Sequence, residues 1–236
     1  MNNKVILLIM DGWGIGDNKA VSAVHKASTP FYDKIITEYP KSLLKASGKN
    51  VGLPRGQMGN SEVGHMNIGA GRIVDQDLIR LNKNLSNKGV KNNVDFTNSV
   101  KEAITNNKDF HIIGLLSDGG VHSHSNHLYY ILDFLKEQKL KNIFIHVFTD
   151  GRDTSPNKGI NEVKKLEEYI EETNIQIATV SGRYYSMDRD SRWERIKLAY
   201  DAMVNGVGEL SSNLIESIQT SYDNSITDEF ISQEQK

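Results

Sequence analysis

Apolar positions along this chain follow two different spacings. Val5–Met10 is an unbroken apolar run that ends in Asp11-Gly12-Trp13-Gly14-Ile15-Gly16. A short continuous run predicts a strand buried on both faces. The glycines behind it predict a loop at the strand's C-terminal end, where open α/β sheets place their ligands. Thr29-Pro30 predicts a helix start, with Thr as N-cap and Pro at the first helical position, and that helix ends near Tyr39-Pro40. Residues 46–72 are rich in Gly and lack periodicity, which predicts a long loop region of the kind that carries function.

From about residue 95 the pattern changes to an alternation. Phe110–Leu115, Ile143–Thr149 and the shorter Ile175–Val180 read as strands. Between them, Leu128, Ile131, Leu132 and Leu135 share one helical face, and so do Ile160, Val163, Leu166 and Ile170. Trp193, Ile196, Tyr200 and Met203 mark a further helix. Strands alternating with helices of this length predict an α/β fold with mostly parallel, helix-covered sheets. A boundary near residues 73–80 separates the first strand and its loops, residues 1–75, from the regular alternation, residues 76–236.

The 236 residues carry a net charge of -2, with 28 Lys and Arg against 30 Asp and Glu, so no nucleic-acid or acidic-membrane partner is expected. The absence of cysteine excludes disulfides and thiolate metal sites and fits a reducing compartment. Val5–Met10 is too short for a signal-peptide core or a membrane span. A cytoplasmic location is expected.

Polar residues collect at the ends of the predicted strands. Ile6–Met10 runs into Asp11-Gly12, Leu115-Leu116 into Ser117-Asp118-Gly119-Gly120, and Phe144–Phe148 into Thr149-Asp150-Gly151-Arg152-Asp153. One Asp-Gly pair is a turn; three at strand ends point to a ligand crevice. Ser61 lies between Gly59 and Gly64, where backbone can approach a ligand closely. It reads equally as a capping serine or as a nucleophile, and Asp11 is a hard oxygen ligand that could share a divalent cation with it. His122, His124 and His127 have the density of a metal cluster, but also suit caps, surface positions or substrate contacts. Arg152, Arg183 and Arg189 fall in loops behind strands, where guanidinium groups bind phosphate and carboxylate in a bidentate manner. Arg192 and Arg195 fall inside a predicted helix, beside Asp188, Asp190 and Glu194, and read as salt-bridge partners.

The segments LLIMDGWGIG, MGNSEVGHMNIGAGR, LLSDGGVHSH, VFTDGRDTSP and SGRYYSMDRDSRWER together resemble the cofactor-independent phosphoglycerate mutases of the alkaline phosphatase superfamily. The resemblance covers nearly the whole chain, in the family's order. It implies two domains: residues 1–75 as the N-terminal part of a metal-binding phosphatase-like domain, and residues 76–236 as an inserted phosphotransferase domain, incomplete at its C-terminal end. It implies Asp11 and Ser61 as ligands of two manganese ions, Ser61 as the phosphorylated nucleophile, and His122, Arg152, Asp153, Arg183 and Arg189 as substrate contacts. Asp153 is implied to move a proton as well. The implied reaction is the glycolytic interconversion of 3- and 2-phosphoglycerate through a phosphoserine. DGRDTSP and SGRYYSMDRD weigh against a related phosphatase or phosphopentomutase.

Members of that family are much longer, and no Asp-x-x-x-His or Asp-His pattern follows Ser61 here. Asp11 and Ser61 alone cannot satisfy two metal ions. Two expectations follow. One is a mutase whose remainder lies on another chain or was not captured; the other is a non-catalytic fragment that at best binds phosphoglycerate weakly. In either case the isolated chain is expected to be inactive, and residues 1–75 to expose their apolar strand while the later segment folds.

Overall fold

The computed structural model of the chain describes residues 4–16, 18–86 and 89–235. It divides into two compact units, Met1–Ile79 and Arg80–Lys236.

The second unit is built on three parallel strands: β1 (Phe110–Leu116), β2 (Ile143–Thr149) and β3 (Ile175–Gly182). Phe110 pairs with Ile143 and Ile143 with Ile175; at the other end Leu116 pairs with Thr149 and Thr149 with Gly182. The strands therefore stop together, and the loops behind them emerge along one edge of the sheet. The helices α4 (Val94–Thr105), α5 (Ser125–Lys136), α6 (Gly159–Ile170) and α8 (Leu214–Asp223) share one core with the sheet. On β2, Ile143, Ile145 and Val147 enter it, as the period of two dictates. Leu132, Leu135, Val163, Leu166, Leu214 and Ile218 meet them and are fully buried, each stabilising the unit by about 1.5–3 kcal/mol.

An irregularity between Ile145 and His146 changes the parity of β3. Ile145 pairs with Ile177, but His146 pairs with Thr179, so Ala178 is the extra residue and Val180 replaces Thr179 on the core side. Thr179 is thereby brought to His146, whose Nδ1 lies 2.9 Å from the threonine hydroxyl while Nε2 lies 2.9 Å from His111 Nδ1. Burial, and then the neighbouring His111, lower the pKa of His146.

Beyond β3 the sheet continues with two very short strands, β4 (Glu209–Leu210) and β5 (Glu234–Gln235), in the order β1-β2-β3-β5-β4. The β3–β5 pair is antiparallel, an addition the alternating pattern does not foreshadow. Helix α7 (Trp193–Tyr200) forms where expected but buries Ala199, with Ala202 just beyond it, and leaves Trp193 and Tyr200 exposed.

The first unit departs from two expectations. Val5–Met10 is not a strand: it has no ladder partner among the described residues, and its side chains are 40–91% exposed. A strand apolar on both faces needs neighbours to bond its backbone and cover its side chains, and none is present among the described residues of this unit. Residues 46–72 are not a continuous loop either. They contain a 3₁₀ turn, Gly48–Val51, and helix α2 (Ser61–Ala70), which follows α1 (Pro30–Glu38) and precedes α3 (Asp77–Leu85). Asn60 supplies the start signal by accepting the Val63 N–H at 2.9 Å. Thr29, by contrast, precedes α1 without capping its backbone; its hydroxyl bonds the Asp33 carboxylate. A small cluster of Val51, Leu53 and Val63 holds the turn to α2. The Asn67 side chain ties the two together, donating to the carbonyls of Val51 and Val63. Gly59 is required there, since an added Cβ would lie 1.8 Å from the Ala46 carbonyl oxygen.

Amide hydrogen exchange on the purified chain is expected to show strong protection across Ile143–Thr149 and none across Val5–Met10. Equal protection of the two segments in a monomer would contradict this assignment. Leu132→Ala, which opens a cavity in the shared core, is expected to cost about 2–5 kcal/mol, measured by urea unfolding of the second unit.

Candidate functional site

The edge where β1, β2 and β3 end is organised by one carboxylate. Asp150, immediately behind β2 and 3% exposed, accepts the Ser117 hydroxyl from behind β1 at 2.5 Å and Arg183 Nη1 from behind β3 at 2.7 Å. It also accepts the backbone N–H groups of Asp153 at 2.9 Å and Arg152 at 3.2 Å. Burial alone would raise its pKa, but these donors outweigh burial and hold the carboxyl below its ordinary value. The same Arg183 Nη1 reaches Asp153 at 2.7 Å. Burial works against the Arg183 charge, and the bonds to Asp153 and Asp150 raise its pKa regardless.

A cavity of about 440 Å³ opens at this edge. His122, Arg152, Asp153, Arg183 and Arg189 all line it, together with Tyr184, Asp188, Arg195 and Glu229. The arginines are not equivalent. Arg183 is buried between two aspartates. Arg195 bonds Asp188 at 3.1 Å and lies 3.9 Å over the Tyr184 ring. Arg152 faces Glu229 at 3.5 Å. Arg189 makes no ion pair among the described residues. His122 Nε2 lies 3.7 Å from Asp153 Oδ2.

The cavity wall that carries Glu229 is a fixed strut, the 3₁₀ turn Asp228–Phe230. The Thr149 hydroxyl donates to the Asp228 carbonyl at 2.7 Å, the Asp228 N–H to the Pro156 carbonyl at 2.8 Å, and the Gly182 N–H to the Ile231 carbonyl at 2.9 Å. The Asp228 carboxylate, fully buried, takes the Gly159 N–H at the start of α6 and the Tyr222 hydroxyl. Burial raises its pKa in spite of those bonds.

The three histidines of the sequence cluster serve separate purposes. His122 lines the cavity, His124 caps α5 by accepting the Asn126 N–H, and His127 Nε2 bonds Asn82 at 2.6 Å. Arg195 is an ion-pair partner, and Arg192 donates its backbone N–H to Asp188. Arg183, expected in a loop with its guanidinium available, starts a helical turn, Arg183–Ser186, and is tied down by both aspartates. Sequence reasoning did not single out the organising role of Asp150, nor Glu229 or Asp228. The Asp-Gly strand end signalled the first; the other two lie in a stretch without a motif.

In the first unit, Ser61 is the first residue of α2, and its hydroxyl donates to Asp11 Oδ2 at 2.5 Å. His65, one turn on, places Nδ1 2.8 Å from the Ser61 carbonyl and 3.3 Å from its hydroxyl. The shorter contact assigns the Nδ1 proton to the carbonyl, which leaves Asp11 as acceptor for the hydroxyl. His65 was also missed, although a four-residue spacing on a helix puts two side chains on one face. Asp11 and Ser61 have the hard oxygen chemistry that suits a divalent cation. Two donors are fewer than such an ion takes, and among the described residues no group of three or more His, Asp or Glu is gathered to hold one.

A mostly parallel α/β unit with an arginine-lined cavity beyond its strand ends is an architecture suited to binding small anions. The family model described as BPG-independent PGAM N-terminus matches residues 81–235, and the chain belongs to that family. It is 53% identical over 231 residues to the 2,3-bisphosphoglycerate-independent phosphoglycerate mutase of Flavobacterium psychrophilum, covering 98% of this chain and 46% of that protein. To the enzyme of the same name from Clostridium tetani it is 50% identical over 233 residues, covering 98% of this chain and 45% of that one. Among solved structures it is similar to Leishmania mexicana phosphoglycerate mutase at low cobalt concentration, with a TM-score of 0.73 and 32% identity over 96% of this chain and 43% of that one. The chain thus spans about half the length of the curated relatives it matches. Among the described residues no helix is long and apolar enough to cross a membrane.

Asp150 has a depressed pKa in the folded state, so its contribution to stability is fully present above the unfolded value of about 3.9 and is lost as pH falls through the folded value. Asp150→Asn is expected to lower stability at pH 7 by about 3 kcal/mol, the low end for breaking a buried ion pair, since Asp153 keeps one contact to Arg183. It should also flatten the loss of stability below about pH 4. Urea unfolding of both proteins across a pH series measures the two effects.

Proposed function

We propose that this chain carries the nucleophile and the substrate grip of a phosphoglycerate mutase, which interconverts 3- and 2-phosphoglycerate in glycolysis through a phosphoserine on Ser61. The observation that carries the reading is the gathering of Arg152, Arg183 and Arg189 with His122 and Asp153 around one cavity. Phosphoglycerate is a small multiply charged anion with hydroxyls, and guanidinium groups bind its carboxylate and phosphate in pairs of parallel bonds. Arg189, without an ion pair among the described residues, is the readiest of these groups. Arg183 acts chiefly by fixing Asp153, whose free oxygen edge and neighbour His122 can hold a substrate hydroxyl and move its proton.

Ser61 is the group that attacks phosphorus. At the first turn of α2 its hydroxyl lies where the helix's free N–H groups favour negative charge, both on the oxygen and on a phosphate attached to it. Asp11 orients the hydroxyl by accepting its hydrogen bond. Asp11 and Ser61 would hold manganese, which when bound supplies positive charge that makes the hydroxyl easier to deprotonate. Those two donors alone do not hold the ion, so these residues by themselves are a binding fragment, and turnover needs further ligands of the kind the rest of the relatives' length would supply. The cysteine-free composition fits a cytoplasmic enzyme.

The isolated chain is expected to show no conversion of 3- to 2-phosphoglycerate in excess manganese, and to gain it when the missing half of a relative is added in trans. In the complemented enzyme Ser61→Ala should abolish both turnover and the phosphoenzyme. Turnover by the chain alone, or activity retained in Ser61→Ala, counts against the reading. Calorimetric titration of the chain with 3-phosphoglycerate should detect weak binding, and Arg189→Ala should weaken it about tenfold or more, as the loss of a charged hydrogen bond predicts.

A further inference from the structure

We infer that Glu229 is a specificity-determining residue that occupies Arg152 while the cavity is empty and gives it up to an incoming anion. The inference rests on reading the cavity as a phosphoglycerate site and adds to it the group with which the ligand competes.

Three observations separate the Arg152–Glu229 pair from its neighbours. Among the described residues it is the longest arginine–carboxylate pair in the cavity, 3.5 Å against 2.7 Å for both Arg183 contacts and 3.1 Å for Arg195. Its arginine is the most solvated of the three paired ones: the Arg152 side chain is 57% exposed, against 9% for Arg183 and 18% for Arg195. Such a pair is worth little and exchanges readily. The third observation is the contrast in mounting. Arg152 sits on a turn and reaches Glu229 through a long flexible stem. Glu229 sits on the strut pinned by Thr149, Pro156 and Gly182, and its backbone closes against two glycines.

When an anion enters, Arg152 is therefore the partner that swings and Glu229 the one that stays. The abandoned carboxylate, 20% exposed, then loses its cation to the ligand. An anion that engages Arg152 must compensate for that broken pair. One that does not leaves the pair intact and Glu229 neutralised. Glu229 thus lowers the affinity of those anions that take Arg152 and leaves the others unaffected.

The test is titration of the full chain with inorganic phosphate and with 3-phosphoglycerate, for the unmodified protein, Glu229→Gln, Arg152→Met and the double variant. Gln has the shape of Glu without its charge, and the folded state of each variant is checked by circular dichroism. The expected result is about two- to fivefold tighter binding of both anions by Glu229→Gln, the range of an exposed ion pair, with most of that gain lost in the Arg152→Met background. Unchanged or weaker binding by Glu229→Gln overturns the assignment, as does a gain that persists in full without Arg152. If phosphate follows the expected pattern but phosphoglycerate does not bind, the assignment stands and the proposed substrate falls. If neither anion binds any variant, both fall.

Discussion

The structure of the second unit depends on where the Asp150 carboxylate sends its bonds. Parallel strands leave their C-terminal ends without hairpins, so the loops behind them have no local reason to hold together. Asp150 supplies one by joining the ends of β1 through Ser117, of β3 through Arg183, and of its own strand through two backbone N–H groups. A buried carboxylate with a single partner is a liability. With four it stays charged, and the charge fixes Arg183, which in turn fixes Asp153 at the cavity. A buried ionic group thereby sets the position of the exposed ones.

Electrostatically the cavity is graded. Its inner cations are neutralised by close aspartates, Arg152 is held loosely, and Arg189 makes no ion pair among the described residues. A cavity lined by four uncompensated arginines would repel itself and collapse onto any anion. Tying some of them down leaves a limited positive potential in a defined direction. The first unit shows the opposite condition: Ser61 and Asp11 are exposed, and their geometry rests on the start of one helix and a single hydrogen bond.

Much of this was legible in the order of the residues. Ile143–Thr149 forms a strand over the bounds its apolar run suggests, and the faces marked by Leu132 and Leu135, and by Val163 and Leu166, are those that pack. These elements are long, periodic and fully buried, so local pattern and tertiary packing agree. The pattern failed where they part. Val5–Met10 has the composition of an interior strand, but strand formation depends on partners a run cannot specify. The bulge at Ala178, the antiparallel β5 and helix α2 inside a Gly-rich stretch each turn on one or two residues rather than a period. At the candidate site the arginine-bearing loops were recognisable by chemistry. Glu229 and Asp228 were not, because two adjacent acids between a threonine and a phenylalanine carry no motif, and their importance arises mainly from contacts some seventy residues distant in the chain.

The strut also constrains how such a sequence can drift. Gly151 adopts φ +66°, and an added Cβ there would lie 2.8 Å from the Asp228 side chain; at Gly182 it would lie 2.4 Å from the Glu229 carbonyl, and at Gly159 2.5 Å from the Asp228 carboxylate. Each of these glycines looks like ordinary loop punctuation where it stands. Together they form the mould in which residues 228–230 are cast, so a substitution at any one is admissible only alongside a compensating change in the others. Lineages that reshape the strut must therefore move through several positions at once, which makes this a slow corner of an otherwise permissive surface.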